Sequence, residues 1–340
     1  MKILVFGRGV IGAQYGWALE KAGHQVDFYV RPGRAATYGT FINMKVFDMR
    51  KSFNGVQLNE IWPVRFLEEL DVDHDYDLIL LSVQHYRFSE AAAFLSSRVG
   101  KASILIFNNF WADPELAAAP LPREQLVWGF PGAGGGFSAG HTLQGGFFGQ
   151  VQFGSFNPTL TAREKAVRDL MRGAGFKVVE QPDFRGWLWT HFALNAGIHA
   201  QALQAGSMAR MVKVMARGKR AVLNVREVLP VLEARGVRLK DFSKDVTLFQ
   251  LPTWVGAAAL KWSYTLHRPT RAIIGSASNP EEPKYFCRDV LVEAHRLGIS
   301  VPRLEAAKPF FEITEDIRQP QRDGPATPLQ VVGRPSVEQS

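Results

Sequence analysis

Gly7-Arg8-Gly9-Val10-Ile11-Gly12 stands directly after the first apolar run of the chain and directly before its first helical pattern. In that context the first glycine permits a tight turn, and the second lets the backbone approach a pyrophosphate. The third lets a helix pack on a strand, with the helix N-terminus facing the phosphates. Gly7, Gly9, Val10, Ile11 and Gly12 are therefore candidate dinucleotide contacts. An acid about 20 residues further on would hold the ribose hydroxyls of NAD. That place is taken by Arg31, in Arg31-Pro32-Gly33-Arg34, while Asp27 falls inside the second strand. A guanidinium suits a 2′-phosphate bidentately and offers a hydroxyl no acceptor. NADP(H) is the expected coenzyme, the alternative being that Arg31 and Arg34 are solvated loop charges.

A second constellation is His191, Asn195 and His199. Spaced by four, they share one face at successive turns of a helix otherwise rich in Trp187, Leu188, Phe192, Leu194 and Ile198. A polar stripe on an apolar helix predicts the wall of a cleft; the other reading is a pair of buried packing imidazoles. With an ordinary pKa of about 6.5, an imidazole can supply a proton where negative charge builds on a carbonyl oxygen. A metal shared by His191 and His199 is excluded, because eight residues put about 12 Å of axial rise between them. Cys287 is the single cysteine, so no intramolecular disulfide and no cysteine metal site can form. It has no nucleophile signature and reads as packing.

These residues need a scaffold, and the first 110 positions supply the pattern of one. Apolar runs Lys2–Phe6, Gln25–Val30, Leu78–Val83 and Ser103–Phe107 alternate with helical stretches, which predicts a parallel sheet with helices on its faces. Ser89 is placed to cap a helix after the third strand, and one helix is expected near Val64–Leu70. From Gly129 to Gly154 ten glycines in twenty-six residues suit turns and tightly packed sheet whose backbone approaches something closely. Thr161-Ala162-Arg163-Glu164 is a capping box, and Lys177–Glu180 a last strand. Beyond it the spacing is helical almost throughout, with Pro230 expected to kink or split its helix. The fold class is thus α/β, a Rossmann-type doubly wound sheet followed by an all-helical region. Residues 1–181 form a coenzyme domain, 182–319 a helical domain for substrate and dimerisation, and 320–340 a poorly ordered tail.

Composition narrows the partners. The chain has 340 residues, 46% hydrophobic and 21% charged, which excludes fibres and wholesale disorder. No apolar run approaches the roughly 18 residues of a spanning helix, and the amino terminus is too briefly apolar for a signal peptide. No membrane association is expected, and a cytoplasmic location is. The net charge of +8 favours anions, but scattered basic residues form no stripe for nucleic acid.

Taken together, these segments resemble the ketopantoate reductase family (2-dehydropantoate 2-reductase) over about residues 1–310. The resemblance is carried by the glycine motif with Arg31, by Asp77-Leu78-Ile79-Leu80-Leu81-Ser82-Val83, by Ile106-Phe107-Asn108, by Trp189 to Asn195, and by Gly298-Ile299-Ser300-Val301-Pro302. It implies a cleft between the two regions where NADPH reduces a small anionic 2-oxo acid. It also implies that Asn108 touches the nicotinamide side and the substrate, and that Asn195 is the first asparagine of the family's W-x-K-x-x-x-N-x-x-x-N helix. In this chain His191 stands for that lysine, the family's general acid, and His199 for the second asparagine. Glu282 is similar in position to the family's catalytic glutamate, with Glu281 the register-shifted competitor. Gln84 takes the place of a lysine that reaches the coenzyme, and Ser263 that of a substrate-binding serine. Phe110-Trp111, where the family has small residues, suggest a reshaped pocket. Reduction of an imine or other secondary-metabolite carbonyl, and NADP(H) sensing without turnover, are the competing functions; a homodimer is open.

Overall fold

The computed structural model describes residues 1–138, 141–277, 279 and 281–312. The expected tail, 320–340, lies outside the described residues. The strands are β1 (Lys2–Phe6), β2 (Gln25–Tyr29), β3 (Phe41–Met49), β4 (Val56–Gln57), β5 (Glu60–Pro63), β6 (Phe66–Leu67), β7 (Leu78–Leu81), β8 (Ser103–Phe107), β9 (Leu126–Ser138), β10 (Thr142–Gly154) and β11 (Lys177–Glu180). The helices among them are α1 (Val10–Lys21), α2 (Ala35–Tyr38), α3 (Phe88–Leu95), α4 (Pro114–Ala117) and α5 (Ala162–Gly173). After β11 come only helices: α6 (Phe184–Gln204), α7 (Met208–Val212), α8 (Met215–Ala234), α9 (Ser243–Gln250), α10 (Thr253–Leu266), α11 (Arg268–Ser276), α12 (Glu281–Arg296) and α13 (Pro302–Ala307).

All eleven strands join one sheet. Along its main path the order is β4-β3-β10-β9-β8-β7-β1-β2-β6, with β11 beside β10 and β5 beside β3. β2, β1, β7, β8 and β9 run parallel, while β9 and β10 form a long antiparallel hairpin. The parallel strands are buried on both faces, which is why they read as unbroken apolar runs. One face packs with α1 and α5 around Tyr15, Trp17, Phe28, Phe147 and Phe153. The other carries α3 and continues without a break into the helical half through Phe110, Trp128, Phe184, Phe192 and Phe286.

Several local expectations need correction. No helix covers Val64–Leu70; Phe66 and Leu67 instead add a short parallel strand to the edge of β2, where pairing with Phe28 and Tyr29 outweighs helical spacing. Ser89 is not a cap. The chain leaves β7 through a 3₁₀ turn, His85–Arg87, and α3 starts from Phe88 with Ser89 already inside it. Pro230 does not split α8, which runs through it. The glycine-rich stretch is sheet as expected, and what approaches it is α11: a side chain added at Gly134 would meet Ile273 Cγ2 at 2.7 Å.

Candidate active site

The glycine motif forms the turn from β1 into α1. Gly7 sits at φ +95°, a conformation side chains rarely adopt, and donates to Tyr29 O at 2.9 Å, tying the turn to the end of β2. A Cβ on Gly12 would lie 2.6 Å from Val5 Cγ1, so the third glycine is what lets α1 lie on β1. Gly9 differs. A Cβ there would meet protein no closer than Ser82 O at 3.6 Å, so protein packing does not demand a glycine. Its bare backbone faces a cavity of about 470 Å³, and no side chain caps the N–H groups of α1. Such a terminus suits an anion.

The same cavity is lined by Tyr29, Arg31, Arg34, Tyr38, Ser82 and Gln84. Arg31 and Gln84 are exposed at its rim. The turn that presents Arg31 is held by Glu68, whose carboxylate accepts from Ala35 N at 2.7 Å and is kept below the ordinary carboxylate pKa by the backbone N–H groups of residues 33–35. Asp27 cannot serve a ribose: its side chain is buried in the sheet and accepts from Tyr76 Oη at 2.8 Å. The uncapped helix start, the glycine turn and the cationic rim fit a dinucleotide.

At the carboxyl end of β8, Asn108 is buried, donates from Nδ2 to Asn109 O at 3.2 Å, and has no partner for its Oδ1. An orphaned buried amide oxygen leaves an acceptor for a group not supplied by the chain. On α6, His191, Asn195 and His199 are partly exposed while their neighbours Phe192, Ala193, Leu194, Ala196 and Gly197 are buried, so the polar stripe lies on a less covered face of the helix. His191 lies flat on Trp187, ring centroids 5.3 Å apart, and edge-on to Phe130 at 4.6 Å. Desolvation by these rings pushes its pKa down to about 4. His199, tilted on Phe286 at 5.8 Å, is lowered to about 4, first by burial and then by the like charge of His191. Both imidazoles are therefore neutral near pH 7.

α12 packs on α6, with Phe286 against His199 and Phe192, and carries Glu282 in its first turn. Its helix is capped by Asn279 Oδ1, which accepts from Glu281 N at 3.0 Å and Glu282 N at 3.4 Å. Burial raises the pKa of Glu282, and the one charge that opposes this is His85. Glu281 is occupied otherwise, with Lys284 Nζ 2.9 Å from its Oε1. Ser263 does not join the group: it is exposed on α10 and its Oγ donates to Leu260 O in its own helix. Phe110 and Trp111 stand apart from the coenzyme cavity. Both are buried, Phe110 edge-on to Phe88 and Trp111 flat on Phe192, their other sides lining a separate cavity of about 430 Å³ with Arg235. Cys287 is buried packing, its thiol pKa pushed up by desolvation.

Two residues of this region carried no sequence argument. His85, on the 3₁₀ turn after β7, stacks on Phe286 at 5.3 Å and has Nε2 3.3 Å from Asp289 Oδ2. Its neighbour Gln84 was the only signal for it. Arg8 lies inside the glycine motif at a position where the motif leaves residue type open, and its side chain reaches the same cavity. Among the described residues no group of three or more His, Cys, Asp or Glu could hold a metal ion, and no helix is long and apolar enough to cross a membrane.

Comparison with known proteins agrees with this geometry. No curated protein sequence matches the chain. Among solved structures, D-mandelate dehydrogenase in a ternary complex with NADH and anilino(oxo)acetate superposes with a TM-score of 0.67 at 15% identity, over 92% of this chain and 97% of that one. A PanE/ApbA family ketopantoate reductase from Ralstonia eutropha JMP134 gives 0.63 at 19%, over 92% and 97%. A 2-dehydropantoate 2-reductase from Geobacter metallireducens GS-15 gives 0.64 at 17%, over 92% and 99%. At these identities the likeness establishes the fold. The family model Ketopantoate reductase PanE/ApbA matches residues 3–158. Over those residues, which hold the glycine turn and most of the sheet, the chain is similar to the ketopantoate reductase PanE/ApbA family.

Proposed function

We propose that this protein is an NADPH-dependent reductase that moves a hydride to the carbonyl of a small 2-oxo acid. Residues 1–181 would hold the coenzyme, and residues 182–319 the substrate side of the cleft. The observation that carries the reading is the uncapped start of α1 opening, past Gly9, into a cavity rimmed by Arg31 and Arg34. When bound, the nicotinamide would supply the hydride. Gly7, Gly9 and Gly12, with the N–H groups of Val10 and Ile11, would take the diphosphate, and Gln84 and the orphaned Oδ1 of Asn108 would orient what lies beyond it. Reduction builds negative charge on the carbonyl oxygen. His191 would meet it as a neutral N–H donor, since its pKa near 4 leaves it uncharged at neutral pH. Glu282, protonated to higher pH than an ordinary glutamate, would deliver the proton that completes the hydroxyl. Asn195 and His199 would position the acid.

The NADH in the mandelate dehydrogenase complex belongs to that protein; Arg31 in place of a ribose-binding acid favours NADPH here. A homodimer accords with the dimeric ketopantoate reductase of Staphylococcus aureus, and α10 exposes Trp254, Trp262 and Leu266 to a partner. A reducing cytoplasm suits the single buried cysteine. The test is turnover: NADPH consumption followed across 2-oxo acids from pyruvate to ketopantoate to phenylglyoxylate. Oxidation with at least one supports the reading; tight coenzyme binding without oxidation of any would replace it with a sensor.

A further inference from the structure

We propose that Arg8, within the glycine motif, is a second recognition residue for the 2′-phosphate of the coenzyme, lining the same cavity as Arg31. The inference rests on the dinucleotide reading above. The Arg8 guanidinium lies over two rings, Phe137 of β9 at 3.8 Å and Tyr38 of α2 at 4.8 Å from its central carbon. With these rings against the guanidinium, its edge is the part left to meet a ligand. Nε and Nη2, the two nitrogens whose N–H bonds point the same way and form the fork for an oxyanion, are both buried and both without a partner.

Other arginines of this protein show what that edge ordinarily holds. Arg168 sets Nε and Nη2 on Glu180 at 2.8 and 3.0 Å, and Arg50 sets the same pair on Asp48 at 3.0 and 2.7 Å. Arg235 lies over two rings as Arg8 does, Trp111 and Trp189, yet its Nη2 donates to Trp111 O at 2.8 Å and Glu293 faces its Nη1 at 3.4 Å. Arg8 alone among these four lacks an acceptor on its fork. Leaving buried charged donors unpaired is costly, so the site is complete only with an anion. Desolvation already lowers the pKa of Arg8, and an arriving phosphate would reverse that.

Position selects which phosphate. The diphosphate belongs at the N–H groups that open α1. Arg8 reaches instead toward Tyr38, on the one-turn helix that follows the β2 turn, the side on which the adenosine ribose sits in this type of fold. The carboxylate nearest that turn, Glu68, is spent on backbone N–H groups. The fork of Arg8 is closed to water, so Tyr38, half-buried on α2 with its ring against Phe66, would have to turn aside as the phosphate enters.

The test is binding, on the full chain. Affinities for NADPH, NADH, 2′,5′-ADP and 5′-AMP are measured by calorimetry for the wild type, Arg8→Gln and Arg8→Lys. The expected result is that Arg8→Gln weakens NADPH and 2′,5′-ADP by about 10- to 100-fold, as for loss of a bidentate charged pair, and leaves NADH and 5′-AMP within about twofold. Arg8→Lys, which keeps the charge but not the fork, should fall between and guards against loss of fold in the first variant. Equal loss for phosphorylated and unphosphorylated ligands would move Arg8 to the diphosphate and overturn the assignment, as would an unchanged NADPH to NADH ratio in both variants. A wild type that binds neither coenzyme refutes the dinucleotide reading itself; one that binds NADPH while the variants keep its ratio refutes only the role of Arg8.

Discussion

At the scale of single residues the chemistry turns on protonation. An imidazole on a cleft wall suggests a charged acid at neutral pH, but Trp187 and Phe130 exclude the water that would solvate the charge. In the proposed reaction His191 would therefore donate without being charged, and replacing it should remove a hydrogen bond from the developing oxyanion. His191→Leu is expected to lower kcat about 10²- to 10³-fold, with KM for the 2-oxo acid changed less; steady-state kinetics decide. Because its pKa is about 4, no loss of activity between pH 6 and 8 should trace to His191. Glu282 behaves oppositely. Its raised pKa keeps the acid form at higher pH, so turnover should fall as pH rises through that value, and Glu282→Gln should abolish this limb along with most of the rate. A pH profile with the limb intact in Glu282→Gln would assign the proton to another group.

At the scale of elements, two close contacts hold the site in shape. Gly12 lets α1 lie on β1, and Gly197 lets α6, bearing the histidine stripe, lie on α8, where a Cβ would come within 2.6 Å of Val225 Cα. Gly12→Ala and Gly197→Ala are each expected to destabilise by about 1–3 kcal/mol, the range for overpacked contacts, read by chemical denaturation. Gly12→Ala should also weaken coenzyme binding, while Gly197→Ala should spare it and reduce turnover. Much at this scale was legible in advance. The capping box of Thr161 and Glu164 forms as written, with Thr161 N donating to Glu164 Oε2 at 2.8 Å. The β1–α1–β2 unit follows its periodicity. The failures were equally physical: Phe66-Leu67 became strand because an open sheet edge lay beside it, and α8 absorbed Pro230 because its packing on α6 and α10 holds it.

At the scale of the whole molecule, pH acts on stability through the same two histidines. Unfolded, each takes a proton near pH 6.5; folded, only near 4. Between these values the unfolded state binds more protons, so the stability these two residues contribute should be full above about pH 6.5 and fall as pH drops toward 4. Urea unfolding at pH 7 and pH 5 should show the loss, and the double variant His191→Gln, His199→Gln should shrink it. An equal loss in wild type and variant would mean that other groups carry the acid sensitivity.

By itself the sequence determined what is local: a glycine turn between a strand and a helix, the strand and helix alternation around it, Arg31 at the position where an acid would hold an NAD ribose, and a polar stripe at helical spacing. Tertiary structure alone decided which of those groups meet and in what state. Arg8 and Phe137 are brought together by sheet order across more than a hundred residues, and so are His85 and Asp289, joined where α12 returns to β7. The neutrality of His191 is decided the same way, because desolvation depends on every ring that surrounds a group, and no spacing along a chain records which rings those will be.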